Sequence, residues 1–115
     1  MHKELLYIPP SELHDYWFLV KPGLLEVKIN SSAGWIEEDV YSSLRNGQST
    51  LHIGFVDGEY SGFLVLSKQQ GYDAMRLFVW CCYAKTEHDQ IALFVDDLLA
   101  MARSIKARQI TFGSK

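Results

Sequence analysis

The stretch Thr50–Phe112 constrains the fold most strongly, because it predicts several elements in a fixed order. Two strands with alternating apolar residues meet at Asp57-Gly58, a dipeptide strongly favoured in two-residue type I′ hairpin turns. The next strand, Met75–Tyr83, is apolar on both faces, so both faces must be covered. An amphipathic helix and a short strand, Gln109–Phe112, follow, which predicts a crossover between parallel neighbours.

Two further helices are predicted before the hairpin. The first covers Ser11–Val20, and Pro22-Gly23 is expected to kink or stop it before an apolar pattern resumes. The second ends at Asn46-Gly47, a typical helix C-terminal stop. Its apolar face combines Ile36, Val40 and Leu44.

The last helix is predicted to begin near Thr86, with Asp89 in a capping-box position. One apolar stripe on this helix should cover one face of the sheet, while the two N-terminal helices cover the other face. The stripe contains Ile91, Phe94, Val95, Leu98, Ala102 and Ile105. The sequence therefore predicts one α/β domain over residues 1–115, with a mixed sheet and the order α-α-β-β-β-α-β.

Charge and hydropathy narrow the classes of function. A formal net charge of −3 argues against a nucleic-acid binder that depends on phosphate neutralisation. The longest apolar run, Leu77–Ala84, is far shorter than the roughly 20 residues of a membrane-spanning helix. The first ten residues contain an acid and two prolines instead of an apolar signal core. A cytoplasmic protein without nucleic-acid or membrane partners is expected.

The cysteines and histidines give no metal-binding pattern, so no metal site is predicted. Cys81 and Cys82 are adjacent in a strand and should point to opposite faces as free thiols; a vicinal redox switch is the lesser alternative. His52 is expected at an edge or on the surface. It would line a cleft only if it pointed away from the apolar face of its strand.

The predicted order of elements resembles the GNAT superfamily of acyl-CoA N-acyltransferases. The sequence also contains five local patterns: Asp15-Tyr16-Trp17, Val20-Lys21-Pro22, Glu38-Asp39-Val40, Leu44-Arg45-Asn46-Gly47 and Leu51-His52-Ile53-Gly54-Phe55. These patterns are similar to those of short GNAT-like proteins of bacteriophages and prophages, which implies a location in the host cytoplasm or the virion.

The resemblance implies a glycine-rich turn, Q/R-x-x-G-x-G/A, whose backbone N–H groups hold the pyrophosphate of coenzyme A at a helix N-terminus. When the sequence is aligned through the apolar helix stripe, Thr86 takes the basic or amide position, and Asp89 and Ile91 take the glycine positions. No glycine occurs between Gly71 and Gly113. If acetyl-CoA binds, the residues expected to contact it are Tyr83, Lys85, Glu87, His88 and Asp89.

The resemblance also implies a tyrosine general acid after the last strand, where only Gly113-Ser114-Lys115 remain. A GNAT-like fold truncated at the C-terminus is therefore expected, and no catalytic residue is assigned. Glu59, an acid within the hairpin, is expected to be a solvated surface residue.

Two functions follow from these observations. The first is a non-catalytic binding or assembly module with a degenerate acetyl-CoA site, whose partner is another protein or a second copy of the chain. The alternative is an N-acetyltransferase that uses acetyl-CoA through a non-standard phosphate-binding turn.

Overall fold

The computed structural model describes residues 2–29, 37–70, 74–85 and 90–112. These residues form a five-stranded mixed sheet, with strands in the order in which they occur in the chain. The elements are β1 (Lys3–Ile8), a 3₁₀ turn (Pro10–Glu12), α1 (Leu13–Ile29), α2 (Glu37–Arg45), β2 (Ser49–Val56), β3 (Glu59–Gln70), β4 (Met75–Ala84), α3 (Gln90–Leu93), α4 (Val95–Ser104) and β5 (Ala107–Phe112). The predicted mixed α/β class is confirmed.

The strand pairing follows the predicted hairpin and crossover. Strands β1 to β4 pair antiparallel, and β5 pairs parallel with β4 over Met75–Val79. Asp57 and Gly58 join β2 to β3 with φ values of 53° and 83°. Positive φ at both central residues is the geometry of a type I′ turn, so this prediction is confirmed.

Helices cover both faces of the sheet, as the sequence predicts. On one face, α1 and α2 bury Val20, Leu24 and Val40 against the sheet. On the other face, Leu98 and Ala102 of α4 lie in a second cluster; its sheet residues are Leu64, Leu66, Leu77 and Val79. Among the described residues, no helix combines the length and apolarity that spanning a membrane requires.

The sequence did not predict strand β1. Its two leucines, Leu5 and Leu6, are adjacent, which breaks the alternation that predicts a strand, and only Ile8 of this strand is buried. Backbone pairing with β2, from Lys3↔Val56 to Ile8↔Leu51, holds β1 at the edge of the sheet. The observed order is therefore the predicted order with one additional N-terminal strand.

The predicted stop of the first helix at Pro22-Gly23 is wrong, because α1 continues through Pro22 to Ile29. A proline in a helix interior removes one backbone hydrogen bond and costs about 3 kcal/mol in isolation. Here the flanking residues Val20 and Leu24 are completely buried, so tertiary packing offsets that cost.

Strict alternation along β4 predicts Leu77, Val79, Cys81 and Tyr83 on one face and Phe78, Trp80 and Cys82 on the other, and this prediction is correct only up to Val79. Val65 of β3 pairs with Cys81, whereas the next residue, Leu66, pairs with Val79, so Trp80 is an extra residue in a β-bulge. The bulge reverses the alternation. Leu77 and Val79 therefore belong to the α4 side of the core, while Cys81 belongs to the α1 side.

The last helix has two parts separated at Phe94, where φ is −111° and ψ is 23°. Phe94, Leu98 and Ala102 are buried, which confirms the centre of the predicted stripe. Val95 was predicted to lie on this stripe but is 42% exposed, because it follows Phe94 by one residue and projects away from the sheet. The predicted start at Thr86 lies outside the described residues.

Candidate functional site

The first candidate site lies where β4 ends and α3 begins. We call it the Gly62 end and define it by Ser61, Gly62, Tyr83, Lys85 and Gln90. A Cβ atom on Gly62 would lie 2.1 Å from the backbone oxygen of Tyr83 and 2.9 Å from Cγ of Gln90. The missing side chain therefore allows β4 and the start of α3 to lie directly against β3.

A second glycine, Gly54, extends this close contact to strand β2. Gly54 of β2 pairs with Gly62 of β3, and a Cβ atom on Gly54 would lie 2.6 Å from Oε1 of Gln90 and 2.7 Å from Cε2 of Phe94. Gln90 and Phe94 thus occupy the space above the two glycines. This end of the sheet is filled by the protein's own side chains.

Gln90 and Ser61 satisfy each other's polar groups inside the Gly62 end. Each residue is 1% exposed. The Ser61 hydroxyl donates to Oε1 of Gln90 at 3.2 Å, and Nε2 of Gln90 donates to the Ser61 carbonyl at 3.2 Å. The same carbonyl accepts from the backbone N–H of Lys85 at 2.8 Å. Buried polar groups are tolerated when they are paired in this way.

Tyr83 connects the Gly62 end to helix α1. Its hydroxyl donates to the Glu26 carboxylate; burial, this hydrogen bond and the carboxylate charge raise the pKa of Tyr83. Helix α1 can come this close to Tyr83 because Gly23 has no side chain; a Cβ atom on Gly23 would lie 2.6 Å from Cδ2 of Tyr83. Burial also raises the pKa of Tyr60, and the neighbouring Tyr83 raises it further. The Tyr60 hydroxyl donates to the Leu19 carbonyl at 3.4 Å.

Lys85 supplies the cation at the Gly62 end. Its Nζ atom lies 5.6 Å from the centroid of the Tyr60 ring, within the range of a cation–π contact. The side chain is exposed at the surface. The structure thus brings together two of the predicted cofactor contacts, Tyr83 and Lys85.

The remaining predicted cofactor contacts, Glu87, His88 and Asp89, lie outside the described residues. Ile91, which the alignment placed at a glycine position, is partly buried and packs against the α4 side of the core. Its side chain therefore has a packing role at this position.

The sequence did not point to Glu26, Tyr60, Ser61 and Gln90. They come from α1, β3 and α3, and no spacing along the chain relates these three elements. The pairing of Gly54 with Gly62 is the signal that could have found them, since cross-strand glycines mark a close approach of another segment.

The remaining sequence predictions concern an acid, the two cysteines and metal ligands. Glu59 is exposed, as predicted. Cys81 and Cys82 are free thiols on opposite sides of the sheet, also as predicted. Burial is the main cause that raises the pKa of Cys81 to about 12, and the neighbouring Cys82 is the second cause. The Cys81 thiol is therefore protonated at neutral pH. Within the described ranges, no three His, Cys, Asp or Glu residues are grouped to hold a metal.

A second candidate site lies at the other end of the same sheet face, beside the end of α4. It is a groove of about 220 Å³, which we call the His52 groove. Its lining residues are Tyr7, Gly47, Gln48, Ser49, Thr50, His52, Leu66, Ser67, Lys68, Leu77, Met101, Ser104 and Ile105.

The expected surface position of His52 is wrong, and the cleft-lining alternative is correct. His52 is 8% exposed and lies on an inner strand of the sheet, on the face opposite Leu51 and Ile53. Burial lowers its pKa to about 4. The strand β1 causes this burial, because Tyr7 pairs with His52 across the sheet and the two ring centroids lie 5.6 Å apart.

The fold has close counterparts among solved structures. A ribosomal-protein-alanine N-acetyltransferase from Brucella melitensis biovar Abortus 2308 matches 96% of this chain and 79% of its own, with a TM-score of 0.67 and 13% identity. A GNAT family acetyltransferase from Staphylococcus aureus matches 100% of this chain and 88% of its own, with a TM-score of 0.64 and 14% identity. This chain has the GNAT fold.

The aminoglycoside N-acetyltransferase AAC(6')-Iy, solved in complex with CoA, also shares the GNAT fold. It matches 96% of this chain and 76% of its own, with a TM-score of 0.67 and 12% identity. No protein-family model and no curated protein sequence matches the chain. The likeness is therefore one of fold, and the predicted resemblance to the GNAT superfamily is confirmed at that level.

Proposed function

We propose that this GNAT-fold domain is a non-catalytic binding or assembly module that does not use acetyl-CoA efficiently. The main support is that polar side chains at the Gly62 end are directed to partners within the protein. Gln90 is hydrogen-bonded to Ser61, and the Tyr83 hydroxyl donates to a carboxylate. Lys85 lies near the ring of Tyr60.

The charges in this part of the sequence also support the proposal. From residue 83 to residue 91 the chain contains one cation, Lys85, and two acids, Glu87 and Asp89. Glu26 adds a carboxylate beside Tyr83. A pyrophosphate brought to this region would be repelled by these acids, and no glycine from 85 to 91 allows close approach to the backbone.

Calorimetric titration of the full chain with acetyl-CoA tests this proposal. We expect no saturable heat at ligand concentrations up to about 1 mM, which corresponds to a binding free energy weaker than about −4 kcal/mol. The same titration of AAC(6')-Iy serves as the positive control, because that protein has been solved with CoA. Micromolar binding by this chain would overturn the proposal.

An N-acetyltransferase with a non-standard phosphate turn is the second candidate. Lys85 favours this candidate, because this exposed cationic residue lies just before the segment that leads into α3. In this candidate, the backbone N–H groups of Glu87, His88 and Asp89 would hold the pyrophosphate.

Substitutions at Asp89 distinguish the two candidates. If the turn holds acetyl-CoA, Asp89→Gly should strengthen binding at least tenfold, because it removes a negative charge and a side chain. Asp89→Asn is the matched control, since it removes only the charge and should give a smaller gain. Undetectable binding in the wild type and in both variants would eliminate the enzyme candidate.

The partner of the module is proposed to be another protein or a second copy of the chain. Strands β1 and β5 form the two edges of the described sheet, and an unpaired strand edge can pair with another strand. Light scattering on the purified chain tests the second copy, which requires twice the monomer mass. A phage or prophage origin, with a location in the host cytoplasm or the virion, stays part of this proposal; head or tail genes in the gene neighbourhood would support it.

A further inference from the structure

The His52 groove combines an apolar floor with a small number of buried polar groups. The floor is formed by Leu66 and Leu77 from the sheet, and by Met101 and Ile105 from the last helix and the residue that follows it. Ligand sites in proteins typically have this composition, in which apolar side chains give affinity and a few polar groups fix orientation. The groove therefore has the composition of a small-molecule site.

His52 is only partly satisfied by the protein. Its Nε2 atom lies 2.9 Å from Oγ1 of Thr50, and within the described ranges its other ring nitrogen, Nδ1, has no hydrogen-bond partner. The residue is 8% exposed. A buried polar atom without a partner is destabilising, so a ligand that hydrogen-bonds to this nitrogen removes that cost on binding.

The charges around the groove select against an ionic ligand. Burial keeps His52 neutral at physiological pH, so its ring offers a hydrogen-bond donor or acceptor without a charge. The C-terminus of α4, at Ser104, presents the negative end of the helix dipole and disfavours an anion. The exposed residue Lys68 also lines the groove, and its positive charge disfavours a cation; because it opposes the negative helix end, ligand charge of neither sign is favoured.

The size of the groove limits the ligand to about one ring. An apolar cavity of about 150 Å³ binds benzene, whereas sites for drug-sized ligands have about 300–1,000 Å³. The groove, at about 220 Å³, lies between these values. The Tyr7 ring, which is 48% exposed and tilted by 43° to His52, adds an aromatic surface for stacking.

We propose that the His52 groove binds a small, neutral, single-ring molecule through a hydrogen bond between the ligand's hydroxyl group and Nδ1 of His52. The ring of the ligand lies on the apolar floor and against Tyr7. This site is separate from the Gly62 end, so the proposal does not depend on whether acetyl-CoA binds.

Phenol and toluene test the proposal, because they have similar size and differ in the hydrogen-bonding group. Each is titrated into the full isotope-labelled chain, while NMR follows the His52 ring nitrogens and the Met101 methyl group. We expect saturable shifts of both signals with phenol, and at least fivefold weaker binding of toluene. Equal affinity for the two ligands would overturn the proposal.

Variants locate the hydrogen bond. His52→Leu should remove the preference for phenol over toluene, whereas His14→Leu, at an exposed histidine, should leave it unchanged. Tyr7→Ala should weaken both ligands about threefold through the loss of stacking. If His52→Leu does not fold, Tyr7→Ala and the comparison of phenol with toluene in the wild type test the proposal.

Two further outcomes would overturn the proposal. The first is the absence of saturable shifts with up to about 20 mM phenol, as expected if water alone satisfies His52. The second is a set of saturable shifts confined to the Gly62 end.

Discussion

Gln90 at the Gly62 end and the His52 groove lie on the same face of the sheet, but the space above the sheet is filled at Gln90 and open at His52. At the Gly62 end, Gln90 fills the space above two glycines and is hydrogen-bonded to Ser61. In the groove, His52 lines about 220 Å³ of open space with a hydrogen bond to one of its two nitrogens. The described part of the Gly62 end is thus filled by the protein's own side chains, whereas the groove leaves open space beside His52.

One strand explains much of this difference. Strand β2 carries Gly54 beneath α3 and His52 beside the end of α4. Without a side chain, Gly54 lets Gln90 and Phe94 contact the sheet backbone, whereas the His52 side chain lines the groove. The filled and the open region thus lie at residues two positions apart on one strand.

The largest expected effect tests the close contact at the Gly62 end. Gly62→Ala should destabilise the protein by about 3 kcal/mol or more, because the added Cβ would meet the backbone oxygen of Tyr83 at 2.1 Å. Gly58→Ala is the matched control: Gly58 also has positive φ, 83°, but no atom lies within 4 Å of the added carbon. Its cost should be about 1–2 kcal/mol, from backbone strain alone. Urea unfolding measures both, and equal costs would show that the contact is loose.

The next effect concerns the burial of His52. Because its pKa falls from 6.5 in the unfolded chain to about 4 in the folded protein, the unfolded chain binds the proton first as the pH decreases. The contribution of neutral His52 to the free energy of unfolding should be fully present above pH 6.5. It should decrease by about 3 kcal/mol between pH 6.5 and pH 4.

Urea unfolding at several pH values measures this effect. His52→Leu should lose about 3 kcal/mol less than the wild type over the same pH interval, since it has no group to protonate there. His14→Leu, at an exposed site, should keep the wild-type dependence. An identical dependence in wild type and His52→Leu would show that the groove is solvated.

The third effect tests whether the Gly62 end is satisfied by Gln90 and Ser61 together. Gln90→Leu should cost about 1–3 kcal/mol, because it removes both side-chain hydrogen bonds to Ser61. In a double-mutant cycle with Ser61→Ala, the two changes should be non-additive by about 0.5–1.5 kcal/mol. Additive costs would contradict a direct interaction.

The smallest effect concerns Tyr83. Its raised pKa depends partly on Glu26, so Glu26→Gln should move the ionisation of Tyr83 to lower pH. Ultraviolet absorbance during alkaline titration measures this change, and Tyr83→Phe identifies the signal. An unchanged titration would indicate that burial alone raises the pKa.

Much of the fold was predictable because its signals are local. The Asp57-Gly58 turn needs positive φ at adjacent residues, and this dipeptide supplies it at low cost. The buried residues Phe94, Leu98 and Ala102 lie four residues apart, which one helix face requires. In contrast, β1 depends on backbone pairing with residues about fifty positions away, and its side chains give little sign of it.

The candidate sites were less predictable, since their residues meet only in three dimensions. Tyr83 and Lys85 could be named because they lie next to the expected cofactor turn. Glu26 and Gln90 could not, because nothing along the chain relates them to Tyr83 and Ser61. The bulge at Trp80 had the same effect on β4, since an extra residue reverses the faces without changing the apolar pattern.

By itself, the sequence determined the mixed α/β class, the hairpin, the crossover helix and the absence of glycines from residue 85 to residue 91. These features follow from backbone preferences and from periodicity along a single element. Only the tertiary structure decided that α1 passes through Pro22, that Gln90 fills the Gly62 end, and that His52 lines a groove. The reason is that burial is a property of the assembled sheet and helices, and it sets the cost of a proline, a buried amide or an imidazole.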